Sequence, residues 1–202
     1  MIVAISGCSG SGKTTVTNNL IHVFGKDKIC YLSQDSYYKD LCHLPLKERE
    51  KINFDHPGTI EFDLFIQHLK ELSNGRSVKK PIYNFNTHTR EVRYETVVPR
   101  NIIILDGLHL LWKQEIRSLT DLKIFIDTDI DICFIRRLLR DMKERGRSIN
   151  SVIKQYLTTV KPMQEKYIVP MKKYADIIIK NNNSDQSSIK DIVERIKRDC
   201  NL

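Results

Sequence analysis

Ile2-Val3-Ala4-Ile5-Ser6-Gly7-Cys8-Ser9-Gly10-Ser11-Gly12-Lys13-Thr14-Thr15 joins an apolar run to a glycine-rich turn and the start of an amphipathic segment. Residues 7–14 fit the spacing G-x-x-x-x-G-K-[S/T], and they lie where that spacing carries meaning, between a strand and a helix. The small residues Gly7, Cys8, Ser9, Gly10, Ser11 and Gly12 let successive backbone N–H groups turn inward onto phosphate oxygens. Lys13 is expected at the β and γ phosphates of a nucleotide, and the Thr14 hydroxyl at Mg2+. From Thr15 the chain continues as a helix to Phe24, closed by Gly25, so the partial positive charge of a helix N-terminus reinforces the cradle.

Outward from this loop, β-branched runs alternate with amphipathic stretches. Strands are expected at Ile2–Ser6, Lys28–Leu32, Ile102–Leu105, Lys123–Ile126 and Ile177–Ile179. Helices are expected near Lys13–Phe24, Glu61–Leu72, Ile130–Arg145, Ile149–Tyr167 and Ser188–Arg198, with Asn74-Gly75 ending the second and Pro162 and Pro170 kinking or stopping the fourth. Near-continuous apolar strands separated by helices imply an α/β fold whose parallel sheet is covered on both faces. Residues 77–98 break the rhythm: Val78–Tyr83 and Glu91–Val98 read as an inserted β-hairpin joined by a polar and aromatic connection, near the carboxyl edge of the sheet where such folds bind ligands. No repeat or linker divides the chain, and residues 1–202 are expected to form a single domain. Residues 181–185 read as a surface loop.

The composition, with 41% hydrophobic and 29% charged residues, is that of a soluble globular protein. No apolar run reaches the ~20 residues of a membrane span, and a strand occupies the place of a signal peptide, so a cytoplasmic location is expected. Cys8, Cys30, Cys42, Cys133 and Cys200 show no C-x-x-C pair and read as reduced thiols. The net charge of +8 invites a polynucleotide partner, but Arg136, Arg137, Arg140, Arg145 and Arg147 are gathered in one segment where a nucleoside triphosphate accounts for them.

The strand Asn101–Leu105 ends in Asp106-Gly107, the form taken by the second metal-holding element of phosphate-loop enzymes; Asp106 is expected at Mg2+, through water. Asp35 follows the second strand, on the edge where the γ-phosphate should lie, and is the candidate general base, with a place near the metal as well. Its bland alternative is a cap for the next segment. Arg137 and Arg140 share a helical face, and Arg145 and Arg147 flank Gly146, an arrangement suited to an arginine-rich lid, about residues 140–150, that closes on the triphosphate.

At this point the chain resembles a known family. Ser33-Gln34-Asp35-Ser36-Tyr37-Tyr38-Lys39-Asp40, Asn53-Phe54-Asp55-His56-Pro57, Pro81-Ile82-Tyr83-Asn84-Phe85 with Thr87-His88-Thr89-Arg90, Arg140-Asp141 with Glu144-Arg145-Gly146-Arg147, Gln155-Tyr156 with Val160-Lys161-Pro162-Met163, and Tyr174-Ala175-Asp176-Ile177-Ile178 follow the motif order of the uridine kinase (uridine–cytidine kinase) family. The resemblance implies a P-loop NTPase-type sheet and transfer of the γ-phosphoryl group of ATP or GTP, with Mg2+, to the 5′-hydroxyl of uridine or cytidine. It places the base at Asp35, phosphate contacts at Lys13, Thr14, Arg140 and Arg145, and nucleoside contacts at Asp55, Tyr83, His88, Arg137, Arg147 and Gln155. Tyr83 and Phe85 suit the walls of a base pocket, His88 a reader of the base's polar edge, and Asp55 an acceptor for ribose hydroxyls. Homotetramers are also implied. Four departures stand out: Asp106 where Glu is usual, Gly58 after the His-Pro pair, Asn84 where Asp is usual, and Lys180-Asn181-Asn182-Asn183 in place of a Pro- and glycine-rich loop. The rivals are another small-molecule kinase, a nucleotide-dependent switch, which lacks an N-K-x-D run, and a nucleic-acid-binding module.

Overall fold

The computed structural model describes residues 1–182 and 187–200. Its strands are β1 (Ile2–Gly7), β2 (Ile29–Ser33), β3 (Val78–Asn84), β4 (Thr89–Val97), β5 (Ile102–Asp106), β6 (Leu122–Asp127) and β7 (Ile177–Lys180). Its α-helices are α1 (Lys13–Phe24), α2 (Leu46–Arg49), α3 (Phe62–Ser73), α4 (Gln114–Leu119), α5 (Ile130–Arg145), α6 (Ile149–Gln155), α7 (Lys161–Met163) and α8 (Ser187–Cys200). Five strands form a parallel sheet in the order β2-β5-β1-β6-β7, while β3 and β4 pair only with each other, antiparallel.

Alternation along each strand divides the core between the two faces of the sheet. Val3, Ile5, Ile102, Ile104, Ile124 and Ile126 pack with Val16 and Leu20 of α1 and Ile192 and Ile196 of α8. Ala4, Leu32, Ile103, Leu105 and Phe125 face the other way, onto Phe62, Phe65 and Leu69 of α3. The register aligns the carboxyl ends: Ile5 lies beside Asp106, Gly7 beside Ile126, and Ser33 beside Asp106. The phosphate loop, Asp106 and the segment after β2 therefore meet at one edge.

The expected strands and helices are present, and Asn74-Gly75 ends α3 with Gly75 in a left-handed conformation. The short helices α2 and α4 and the tight turns Gln34–Tyr37, Pro57–Thr59 and Leu110–Trp112 go beyond the expected elements; elements this brief carry too few apolar residues to show a period. Pro162 does not stop its helix. The chain continues from α6 through α7 to Ile168 by widening into π turns at Tyr156–Val160 and Gln164–Ile168, which accommodate a residue lacking an N–H and crowding the preceding turn. Termination comes in the tight turns of Val169–Tyr174, which contain Pro170. Of the expected loop at 181–185, Asn183, Ser184 and Asp185 lie outside the described residues.

Candidate active site

The loop between β1 and α1 can have no side chain at two of its turns. Gly10 and Gly12 have φ of 84° and 95°, and a Cβ on Gly10 would run into the Cys133 carbonyl, on Gly12 into the Asn181 amide. The Ser11 carbonyl is held from behind by the Thr128 hydroxyl at 2.9 Å and Asn181 Nδ2 at 2.7 Å. Lys13 arches back, its ammonium donating to the Cys8 carbonyl at 3.0 Å. Gly7, Cys8 and Ser11 form the buried underside of the loop, while Ser9, Gly10, Gly12, Lys13, Thr14 and Thr15 line a cavity of about 1160 Å³. Burial, opposed by the Lys13 charge, pushes the Cys8 thiol up to about 11, so this cysteine is a packing residue rather than a reactive one.

Asp106, at the end of β5, accepts hydrogen bonds on one oxygen from the Thr14 hydroxyl at 3.1 Å and the Tyr31 hydroxyl at 3.3 Å. Asp35 lines the same cavity from the turn after β2. Burial raises both carboxylates above their ordinary range; for Asp35 the nearby Asp106 charge adds to the rise, and Lys13, Arg145 and Arg140 oppose it. Two carboxylates and a hydroxyl are hard oxygen donors whose mutual repulsion a divalent cation would relieve. They fit Mg2+, which is commonly held by one or two carboxylates plus substrate phosphates. No cluster of three or more His, Cys, Asp or Glu side chains suited to a metal occurs among the described residues.

The arginines are organised by a motif residue to which the sequence assigns no role. Asp141, fully buried on α5, takes Arg140 at 2.8 Å and Arg137 and Arg145 at 3.5 Å each. Its spacing to Arg137 and Arg145 is i±4, the helical neighbour relation, so the pattern was present in the sequence. One buried anion thereby gathers like charges that would otherwise repel, and all of them face the cavity. Arg145 also lies over the Phe85 ring, 4.8 Å from its centre. Gly146, at φ 62°, closes α5 and turns the chain towards Arg147.

The opposite end of the cavity is aromatic. Phe54 and His88 stack with ring centres 4.5 Å apart and 12° between planes, and Tyr38 meets Phe54, Tyr83 and Phe85 at 5.7, 5.0 and 6.4 Å. His88 has φ 54°, the one non-glycine residue with positive φ among those described. Burial and the charges of Arg145, Arg147 and Arg49 lower its pKa, favouring a neutral ring. Asp55, buried, pairs with Arg137 at 3.2 Å, and Arg137 and Arg147 both donate to Gln155 Oε1. The Tyr83 hydroxyl is buried without a partner among the described residues. Asp35, Asp55, Tyr83, Phe85, His88, Asp106, Arg137, Arg140, Arg145, Arg147 and Gln155 all line this one cavity. Tyr38 and Phe54, which the motif reading gave no role, line it too.

A phosphate cradle at the carboxyl edge of a parallel sheet, faced by clustered arginines and a pocket for a second molecule, defines a phosphate-loop kinase of small molecules. Residues 2–188 match the model of the Phosphoribulokinase / Uridine kinase family. The chain is 48% identical to the uridine kinase of Clostridium novyi over 98% of its own length and 95% of that protein's, and 46% identical to that of Bacillus licheniformis over 98% and 93%. The fold is similar to phosphoribulokinase from Rhodobacter spheroides, with a TM-score of 0.63 at 16% identity, covering 89% of this chain and 69% of that one. The chain belongs to the phosphoribulokinase/uridine kinase family.

Proposed function

We propose that this protein is a uridine/cytidine kinase, moving the γ-phosphoryl group of ATP or GTP to the 5′-hydroxyl of a pyrimidine ribonucleoside. The observation that carries the reading is that the phosphate loop and an aromatic pocket open into one cavity with Asp35 on its wall. Asp55 and Arg137 hold the ribose hydroxyls, Tyr38, Phe54, Tyr83 and Phe85 wall the base, and His88 with Arg147 and Gln155 reads its polar edge. Asp35 takes the proton of the 5′-hydroxyl as that oxygen attacks the γ-phosphorus and the bond to the leaving diphosphate breaks. Lys13, Arg140 and Arg145 stabilise the charge spread over the transferring group. Thr14, Asp106 and Asp35 would hold Mg2+, which would supply neutralisation of phosphate charge.

The whole chain acts as one catalytic domain, in the cytoplasm, on small molecules rather than polynucleotides. No helix among the described residues is long and apolar enough to cross a membrane. Exposed apolar residues on α5 and the adjoining helix, Leu139 at 63% and Leu157 at 61% accessibility, support self-association into a homo-oligomer, a tetramer by family resemblance. The test is a panel of uridine, cytidine, 2′-deoxyuridine, a sugar phosphate and pantothenate, with ATP or GTP and Mg2+, and identification of the product. Nucleoside 5′-monophosphate is expected. The 2′-deoxynucleoside should be about 5- to 150-fold poorer in kcat/KM, because the buried Asp55–Arg137 pair loses a partner. Turnover of the sugar phosphate or pantothenate instead of any nucleoside would overturn the reading.

A further inference from the structure

Tyr31 stands out as a cavity residue that the phosphoryl-transfer chemistry above leaves without a task. It lies on β2, two residues before Ser33, and Ser33 is the register partner of Asp106. The pleat carries the Tyr31 ring along the sheet edge until its hydroxyl reaches Asp106 Oδ2 at 3.3 Å, the same oxygen that Thr14 Oγ1 meets at 3.1 Å. One carboxylate oxygen is thus held by two hydroxyl donors from different elements, the first turn of α1 and the strand β2. Among the described residues no side-chain hydrogen bond engages the other oxygen, Oδ1.

The ring is supported in turn. Lys80 of β3, only 6% exposed, holds its ammonium 5.9 Å from the Tyr31 ring centre and pairs at 2.9 Å with Glu95, its cross-strand partner on β4. The ammonium over the ring face favours the observed ring position. A line of contacts therefore runs from the acceptor hairpin through Lys80 and Tyr31 to Asp106 and Thr14.

We propose that Tyr31 is a positioning residue: with Thr14 it pins Oδ2 of Asp106 so that Oδ1 is left free for a divalent cation. Aspartate is short, and a carboxylate tied on one oxygen from two sides loses the rotation about its terminal torsion that would take the free oxygen off target. At 3.3 Å the tyrosine contact is long for an O–H···O bond, and such bonds tighten when a site is loaded, so the effect is modest and specific to metal. The inference rests on the phosphoryl-transfer reading above.

The test uses Mn2+, an oxygen-preferring paramagnetic stand-in for Mg2+, titrated into the complex of the full-length protein with ADP and followed by the EPR signal of the free ion. Tyr31→Phe keeps the ring and its Lys80 contact and removes only the hydroxyl. Its ADP complex should bind Mn2+ about 3- to 10-fold more weakly than the wild-type complex. ADP affinity in EDTA, uridine affinity and the thermal midpoint should stay at wild-type values. Lys80→Met, which leaves the hydroxyl but frees the ring, should show a smaller loss confined to the same metal measurement, and it carries the test should Tyr31→Phe fold poorly. Unchanged Mn2+ affinity in these variants, or an equal loss of metal-free ADP affinity, overturns the proposal. If the wild-type ADP complex binds Mn2+ no better than ADP alone, the phosphoryl-transfer reading itself fails; if it does bind and Tyr31→Phe matches it, only the role of Tyr31 falls.

Discussion

The two ends of the cavity are built on different plans. The phosphate end uses one contiguous segment, residues 7–15, whose recognition groups are backbone amides, one lysine and a helix N-terminus. Its arginines come from a single helix and are gathered by Asp141. The acceptor end is assembled from Tyr38, Asp55 and its neighbour Phe54, the β3–β4 hairpin, Arg137 and Gln155, segments far apart in the chain. Charge on phosphate is the same whatever nucleoside accepts it, so main-chain geometry and fixed cations suffice there. A nucleoside must be distinguished by shape and by hydroxyl count, which takes side chains brought together from several directions.

The largest effect expected from this contrast is at Lys13. Lys13→Ala should lower kcat by ~10³-fold or more while uridine affinity, measured by calorimetry, stays near wild type, since the lysine acts on the transferring group and not on the acceptor. A matching loss of uridine affinity would mean that the two ends are not separable.

Asp35 stands where the ends meet and should give the next largest effect. Asp35→Asn should reduce kcat by ~10²–10⁴-fold with little change in uridine Kd. Its stability should move the opposite way. The folded protein holds the Asp35 pKa above its unfolded value. That carboxyl therefore favours folding fully below the unfolded pKa, and the contribution is lost as pH rises through the folded pKa. Once ionised, Asp35 is thus a liability, and at pH above its folded pKa Asp35→Asn should raise the thermal midpoint, by roughly 2–4 °C for each 1 kcal/mol relieved. The gain should vanish in acid, where the native Asp35 is itself protonated. A capping role predicts near-normal kcat and no such pH-dependent gain, since Asn caps as well as Asp.

The smallest effect is expected at Phe54. Phe54→Leu keeps apolar bulk but removes the ring stacked on His88, and should raise the uridine KM by about 2- to 12-fold, the worth of one aromatic pair, without changing kcat. An equal fall in kcat would place Phe54 in the phosphate machinery and blur the contrast between the ends.

The same contrast explains what could be read from the sequence. The phosphate loop, the strand-end Asp106 and the five parallel strands are local patterns, each visible within a few consecutive residues. Asp55 and Gln155 come from motif order, Asp35 also from its place after the second strand and Arg137 from the helical face it shares with Arg140, and the structure brings all four to one cavity. Tyr38 and Phe54 were legible only as members of family-like motifs, because an aromatic side chain reads as core until the contacts between distant segments are known. Tyr31 was hidden for a related reason: in a buried strand it looks like one more alternating residue, and only the register beside β5 sets its hydroxyl on Asp106. At Pro162 the sequence leaves two outcomes open, a distorted helix or a stopped one. The buried side chains Val160, Gln164 and Ile168 decide for the first, holding the segment together through widened turns.

The hairpin shares no backbone ladder with the main sheet. It is fastened instead by side chains: Val78, Tyr83 and Val97 in the core beside α3, Arg90 to Glu61 and to the Tyr38 carbonyl, and Arg49 to the Thr87 carbonyl. Attachment of that kind makes the hairpin an exchangeable part, in the way a tool bit is clamped rather than forged into its handle. A lineage or an engineer can replace the hairpin and its clamps to fit a new acceptor while the five-stranded frame, its loop and its arginines go on handling the same phosphates.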